Sequence, residues 1–197
     1  MSIKKKIAVL LLVGVAIGAR GQNIGIKTNL VGDAFLNVNL GVEAGLAPKW
    51  TLDVPVSYNA WILDDGARWK HLLVQPGVRY WFCDRFSGHF VGAHAHGGIY
   101  NVGGLDLKVN PNLISDKVFS QLKDSRFQGW LIGAGISYGY AWILGEHWNI
   151  EAEIGAGYAY TRYDQFNCTG CGKKMAENVP HHYVGPTKAA ISLVYLF

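Results

Sequence analysis

Four groups of side chains in this sequence could do chemistry. His94 and His96 stand two residues apart, a spacing that sends both imidazoles to one face of a strand. With Glu151 or Glu153 as a third ligand they would make a zinc-type site. As histidines that hydrogen-bond carboxylates they would belong to a polar network; we adopt that reading and expect no metal. Cys168-Thr-Gly-Cys171 is a CxxC followed by His181 and His182, which fits zinc, a redox pair or a disulfide. An exported chain meets an oxidising compartment, so a short disulfide pinning a loop is the expectation. Cys83 is left odd, either as a free thiol or as a partner for another chain. Ser57, His71, Asp64 and Asp65 offer the hydroxyl, imidazole and carboxylates of a lipid-modifying enzyme, yet no nucleophile motif surrounds them. We assign no catalytic residue and no cofactor, and expect the chain not to be an enzyme. The fourth group is ionic: Lys27, Glu43, Asp53, Arg79, Glu151, Glu153 and Lys188. These charges are interleaved with bulky apolar residues, so their role depends on the elements that carry them.

The composition restricts those elements. The chain has 197 residues, of which 50% are hydrophobic, 13% aromatic and only 16% charged, with 25 glycines; mean hydropathy is +0.12. Disordered chains are charged and poor in aromatics, so disorder is excluded. After residue 20 there is no apolar run of the ~18 residues that a membrane-spanning helix needs. An apolar chain rich in glycine and aromatics but lacking such runs points to a β-protein with an apolar outer surface. Residues 1–21 read as a secretory signal: Lys4, Lys5 and Lys6, then an apolar stretch from Ile7 to Ala19, then small residues before a cut at Gln22. The cut removes four of the 18 basic residues (Lys4, Lys5, Lys6 and Arg20), leaving 14 against 14 acidic ones. The mature chain is then formally neutral, and nucleic-acid binding loses its electrostatic basis.

Downstream of Gln22 the dominant period is two. From Phe127 to Ile143 the even positions carry Trp130, Ile132, Ile136, Tyr138, Tyr140 and Trp142, while the odd ones are mostly small: Gly129, Gly133, Gly135, Ser137, Gly139 and Ala141. A strand sends alternate side chains to opposite faces. Bulky apolar residues on one face and small or ionic ones on the other fit a narrow closed barrel with lipid outside and cramped space within. The split recurs over Leu36–Leu46, Trp50–Ala60, His71–Phe82, His89–Val102, Trp148–Arg162 and Tyr183–Phe197, with a short first segment at Ile24–Leu30. The expected fold is therefore an all-β, eight-stranded antiparallel up-and-down transmembrane β-barrel over residues 22–197.

Short turns alternate with long connections, and long outer loops are expected at 103–126 and 164–182, the first with a helical turn at Ser115–Lys123. Aromatic girdles are expected at both lipid–water boundaries. Trp50, Trp142, Trp148, Phe82 and Phe197 lie beside the short turns; Tyr58, Trp130, Tyr158, Tyr160 and Tyr183 lie near the long loops. The last strand ends on Tyr195 and Phe197, which resembles the signal read by the barrel-assembly machinery. The ionic group, with His94 and His96, then faces inward. Unpaired charges there cost several kcal/mol each, so the interior is expected to be a packed polar network; a narrow channel is the alternative.

The chain resembles an uncharacterised outer-membrane barrel family, domain of unknown function 3575. The resemblance rests on Lys27-Thr28-Asn29-Leu30, Leu52-Asp53-Val54-Pro55, Trp69-Lys70-His71, Gln75-Pro76 and Arg79-Tyr80-Trp81-Phe82-Cys83. Further matching stretches are Gly88-His89-Phe90, Tyr100 to Gly104, Gln128-Gly129-Trp130, Gly133 to Tyr140 and Gly185-Pro186-Thr187-Lys188. It covers almost the whole mature chain. It implies the outer membrane of a Gram-negative bacterium of the Bacteroidota type, sometimes with fimbrial or adhesion genes nearby, and it transfers no catalytic residue. The expected role is a non-enzymatic scaffold presenting outer loops. Its expected partners are outer-membrane lipid, the barrel-assembly machinery and a surface-fibre or adhesion protein.

Overall fold

The computed structural model describes residues 23–62, 67–104, 125–168 and 172–197. The expected signal segment, Asp64, Asp65, Cys171 and the helical turn at Ser115–Lys123 lie outside the described residues. The elements are β1 (Ile24–Asn29), α1 (Leu30–Ala34), β2 (Val38–Ala47), β3 (Trp50–Ile62), β4 (Arg68–Val74), β5 (Gly77–Trp81), β6 (Gly88–Gly103), β7 (Arg126–Ile143), β8 (Trp148–Phe166) and β9 (Lys174–Leu196).

Each strand pairs antiparallel with its neighbours in sequence. β4 and β5 both lie between β3 and β6, so they are two halves of one barrel strand. The ladder breaks between them at Gln75-Pro76, where proline has no N–H to give. The backbone bonds from Gln75 N to the Pro55 carbonyl (3.0 Å) and from Ala95 N to the Pro76 carbonyl (2.9 Å) carry the register across the gap. β1 pairs with β2 on one side and with β9 on the other. Nine segments thus make an eight-stranded closed antiparallel barrel with up-and-down topology, as the period-two pattern requires.

The two faces differ as the alternation demands. On β7 and β8 the outward residues Ile136 and Ile154 are 72% and 70% exposed, whereas inward Ser137, Glu151 and Glu153 are buried. The glycines of the inward faces leave room for large inward side chains. A Cβ at Gly41 would stand 2.8 Å from Cγ of Lys27, and one at Gly135 would stand 2.9 Å from Nε2 of His94.

Outward aromatics form two belts. At the short-turn end Trp50 packs on Tyr80 (5.1 Å between ring centroids), Tyr140 on Trp142 (4.8 Å) and Trp148 on Tyr195 (4.9 Å), which also meets Phe197 (4.9 Å). At the long-loop end Trp130 meets Tyr160 (5.9 Å), and Tyr58 and Tyr158 are exposed. Trp130 and Trp142 sit twelve positions apart on β7. At ~3.3 Å per residue and a tilt of ~40° the belts stand roughly 30 Å apart, the thickness of a bilayer's hydrocarbon core.

Two expectations need correction. The stretch 164–182 is not a long irregular loop: β8 runs to Phe166 and β9 starts at Lys174, paired as a hairpin through Phe166↔Lys174. Tyr183 does not join the outer belt. The β8–β9 register shifts between Gly155 and Ala156, opposite Lys188 and Pro186, which leaves Thr187 as an extra residue. A bulge of this kind moves every later side chain to the other face. His182 and Val184 therefore face outward, and Tyr183 faces the lumen.

Candidate functional site

The ionic residues converge in the short-turn half of the barrel because β1, β2, β3, β5, β8 and β9 each turn a charged side chain inward there. Lys27 Nζ lies 2.8 Å from Glu43 Oε2, 2.7 Å from Asp53 Oδ1 and 3.6 Å from Glu151 Oε2. Arg79 Nη1 bridges Glu43 (2.7 Å) and Glu151 (3.0 Å), and its Nη2 reaches Asp53 (3.0 Å) and Glu153. Lys188 Nζ joins Asp53 (3.2 Å) to Glu153 (3.1 Å). All seven expected members meet in one cluster, and their side chains are 0–7% exposed. Buried ions hold their charges only when paired and hydrogen-bonded, and here each carboxylate contacts at least one cation.

The network is fastened to an aromatic plug at the short-turn end. Trp81 Nε1 donates to Thr51 Oγ1 (2.9 Å), and Thr51 in turn donates to Glu43. The Arg79 guanidinium lies 4.5 Å over the Phe90 ring, a cation–π contact. Trp81, Phe86, Phe90, Val194 and Leu196 pack together beneath it. Phe86 belongs to the turn after β5 and has φ = +64°, a conformation that costs a bulky residue roughly 1–3 kcal/mol. That backbone turn puts its ring into the barrel end, 6.0 Å from Trp81, and Asn149 Nδ2 holds its carbonyl at 2.7 Å.

The histidines lie above the network. His94 and His96 face inward, buried, with ring centroids 5.7 Å apart. His94 Nε2 pairs with the Thr187 hydroxyl at 3.0 Å, not with a carboxylate as expected. Neither ring nitrogen of His96 has a hydrogen-bond partner among the described residues. Among those residues no three His, Cys, Asp or Glu side chains are grouped to hold a metal.

Ser57 and His71, from diagonal positions on β3 and β4 (Ser57 is opposite Leu73, and His71 opposite Asn59), come together in the lumen: Ser57 Oγ lies 3.1 Å from His71 Nε2. The Trp69 ring stands edge-on to His71, 5.9 Å between centroids. At the hairpin tip Cys168 is half-buried, and Cys83 is exposed; the expected partner Cys171 lies outside the described residues.

The long-loop end of the lumen is roomy where the short-turn end is full. Cavities of about 260 and 400 Å³ adjoin there, sharing Trp69, His71, Leu73, Gln75 and Thr187. The β1–β2 connection folds against the smaller one: Asn29 caps α1 by accepting from Val31 N (3.1 Å), and Asn39 Nδ2 donates to Asp33 (2.7 Å). Asn37 Oδ1 receives Asn59 Nδ2 (2.6 Å) and Trp69 Nε1 (3.2 Å).

Thr51, Trp81, Phe90, Asn149 and Thr187 are functional parts of this interior that the ionic pattern does not mark. Alternation puts Thr51, Trp81 and Asn149 on inward faces, and the neighbouring Pro186 is the signal for Thr187, since proline inside a strand indicates an edge or a bulge. A family model described as "Protein of unknown function (DUF3575)" matches residues 7–197. No curated protein and no solved structure matches the chain.

Proposed function

From the premise that this chain belongs to the DUF3575 family, whose fold is here an eight-stranded closed barrel, we propose that it is a non-enzymatic scaffold of the bacterial outer membrane. The sealed interior carries this reading. Among the described residues the short-turn half of the lumen is filled by the seven-charge cluster and, beneath it, by Trp81, Phe86 and Phe90. The apolar band between the two aromatic belts supports insertion in a bilayer, with the short turns in the periplasm.

What such a barrel offers is a rigid mount for its outer end. The β8–β9 hairpin continues past the Trp130–Tyr160 belt and exposes Met175 (67%). It is the surface on which a surface-fibre or adhesion protein would dock. The Cys168–Cys171 disulfide, where formed, would stiffen its tip. Insertion would be handled by the barrel-assembly machinery through the strand ending at Tyr195 and Phe197.

Two tests bear on this reading. In planar bilayers the purified protein is expected to be silent; steady single-channel conductance would overturn the sealed interior. A photo-crosslinker at Met175 in whole cells is expected to give a discrete adduct with a fibre or adhesion subunit that the same group at Ile136 does not give. Adducts identical at both positions would count against a docking role.

The contact between Ser57 and His71 favours a second reading, a lipid-modifying enzyme, because a hydroxyl beside an imidazole is the start of a nucleophile–base pair. Ser57→Ala and His71→Ala, each compared with the wild type by mass spectrometry of lipid A, test it. Unchanged lipid A in both would remove it.

A further inference from the structure

The space above the ionic network has a composition and an opening of its own. The larger cavity, about 400 Å³, is walled by Phe127, Leu131, Ala159, Tyr183 and Leu73 among others. That volume falls in the range of roughly 300–1,000 Å³ typical of small-molecule sites, which are mainly apolar with a few polar groups. The smaller cavity, about 260 Å³, is polar: Asn29, Asn37, Asn39, Ser57 and Lys188 are among its lining groups. The two adjoin at His71 and Thr187, so together they form one space with an apolar and a polar end.

The barrel wall beside the polar end is not a complete ladder. β1 stops at Asn29, opposite Ser192, but β9 continues outward to Lys174. Asn29 closes the first step by accepting from Ile191 N (3.2 Å) and donating to the Ala189 carbonyl (3.4 Å). From Pro186 outward, β9 is paired with β8 alone among the described residues. Proline is tolerated at an edge because it has no N–H for a ladder, and both prolines of β9, Pro180 and Pro186, fall in this stretch. Next to the seam Val184 is 80% exposed on the outward, apolar face. A hydrocarbon phase outside, a partly unpaired wall, and an apolar cavity inside thus lie in series.

We propose that the long-loop half of the barrel binds a single-chain amphiphile of the fatty-acyl class, reached sideways from the outer leaflet between β9 and α1. The tail occupies the larger cavity, and the small polar head lies among Asn29, Asn39 and Ser57 in the smaller one. Hydrocarbon is the occupant that suits the larger space because Leu73, Val102, Phe127, Leu131 and Ala159 line it with apolar surface, to which His96, Tyr100 and Thr161 add a few polar groups. The inference rests on the membrane-barrel reading, since the amphiphile arrives from the bilayer.

The probe is 11-(dansylamino)undecanoic acid, titrated into full-length protein refolded in non-ionic detergent. Saturable, blue-shifted emission at one probe per barrel is expected. Ala159→Trp fills the larger cavity and is expected to weaken binding by about tenfold or more, as lost apolar contacts in a pocket do. Leu131→Phe repeats the test in case the first variant fails to fold, and Ile136→Phe, on the outward face, is expected to bind as the wild type does. Heat-shifted gel mobility reports folding for each. A lysophospholipid retained in native mass spectra after extraction from vesicles of phosphatidylethanolamine with its lyso form would identify a single acyl chain still attached to a headgroup, whereas retention of the two-chain lipid would count against a single-chain ligand. A retained free acid would identify the other source. No saturable binding, or equal loss in the inward and outward variants, overturns the proposal. If the wild type binds no probe yet enters vesicles with heat-shifted mobility, only this inference fails. If it does not enter vesicles, the membrane reading fails with it.

Discussion

At the short-turn end, Trp81, Phe86, Phe90, Val194 and Leu196 close the lumen, and Arg79 is stacked on them. At the long-loop end the same eight strands enclose cavities of about 260 and 400 Å³. Strand number sets a barrel's width, so the width cannot explain this difference; the inward residues do. Below the network β5, β6 and β9 contribute Trp81, Phe90, Val194 and Leu196, and the turn after β5 adds Phe86. Above it, β6 and β7 present Gly98, Gly129 and Gly133, and the wall between β9 and β1 is short of a ladder. The lower half is built to be stable and the upper half to contain something, a division familiar from scaffolds that keep function at their loop ends.

That contrast can be broken most forcefully at Arg79. It contacts all four buried carboxylates, so Arg79→Met leaves two lysines to balance them. Removing one partner from a buried ion cluster costs about 3–5 kcal/mol, and urea unfolding from vesicles should show a loss of that size. A loss under about 1 kcal/mol would mean that the cluster is solvated rather than packed. Next comes a matched pair. Phe90→Ala, in the full half, is expected to cost about 3–5 kcal/mol, whereas Leu131→Ala, lining the larger cavity, should fall at or below the lower end of the ~2–5 kcal/mol range for its type. Equal costs would erase the distinction between the halves.

The smallest effect is at the hairpin tip, beyond the Trp130–Tyr160 belt. The Asp164 carboxyl is held below its ordinary value by the Asn178 backbone N–H and by Lys174. Lys174 is held above its own by Asp164 and Glu177. A lowered carboxyl contributes at pH above its unfolded value, near 3.8, and the contribution is lost as pH falls through the folded value. A raised ammonium contributes below about 10.5 and is lost as pH rises through its folded value. Protection of the Asn178 amide, its exchange rate taken relative to the intrinsic rate at the same pH, should therefore be greatest between these limits and fall in acid, and Asp164→Asn should remove the acid-side fall while leaving the barrel amides untouched. An Asn178 amide indifferent to both would show that the tip clamp is absent in solution.

Sequence and structure agree where a rule has only one outcome. Period-two alternation with glycine against tryptophan admits a single assignment of faces, so strand number, closure and all seven network charges were legible from residue types. What the sequence left obscure depends on one-residue offsets. The bulge at Thr187 reverses the faces of the outer part of β9, which places Tyr183 inside. Polar clues in 164–182, such as Asn167 and Asn178, read as loop, although cross-strand pairing continues around them. The aromatic plug was legible only in part: alternation puts Trp81 on the inward face beside Arg79, but the rings of Phe86 and Phe90 that pack on it depend on the turn after β5 and on the register of β6. The contact of Ser57 with His71 was named from residue types but could be placed only by the register of β3 on β4.

The central claim is that the belt of bulky side chains faces hydrocarbon. Ile136 sits midway between Trp130 and Trp142 and is 72% exposed. In water, arginine at so exposed a site would change stability by no more than about 0.5 kcal/mol; at a bilayer midplane it costs about 2–4 kcal/mol. Unfolding free energies of Ile136→Arg and wild type, measured after refolding into phospholipid vesicles, decide between these. A loss in the upper range is the result expected here, and no loss, or a gain, would contradict it.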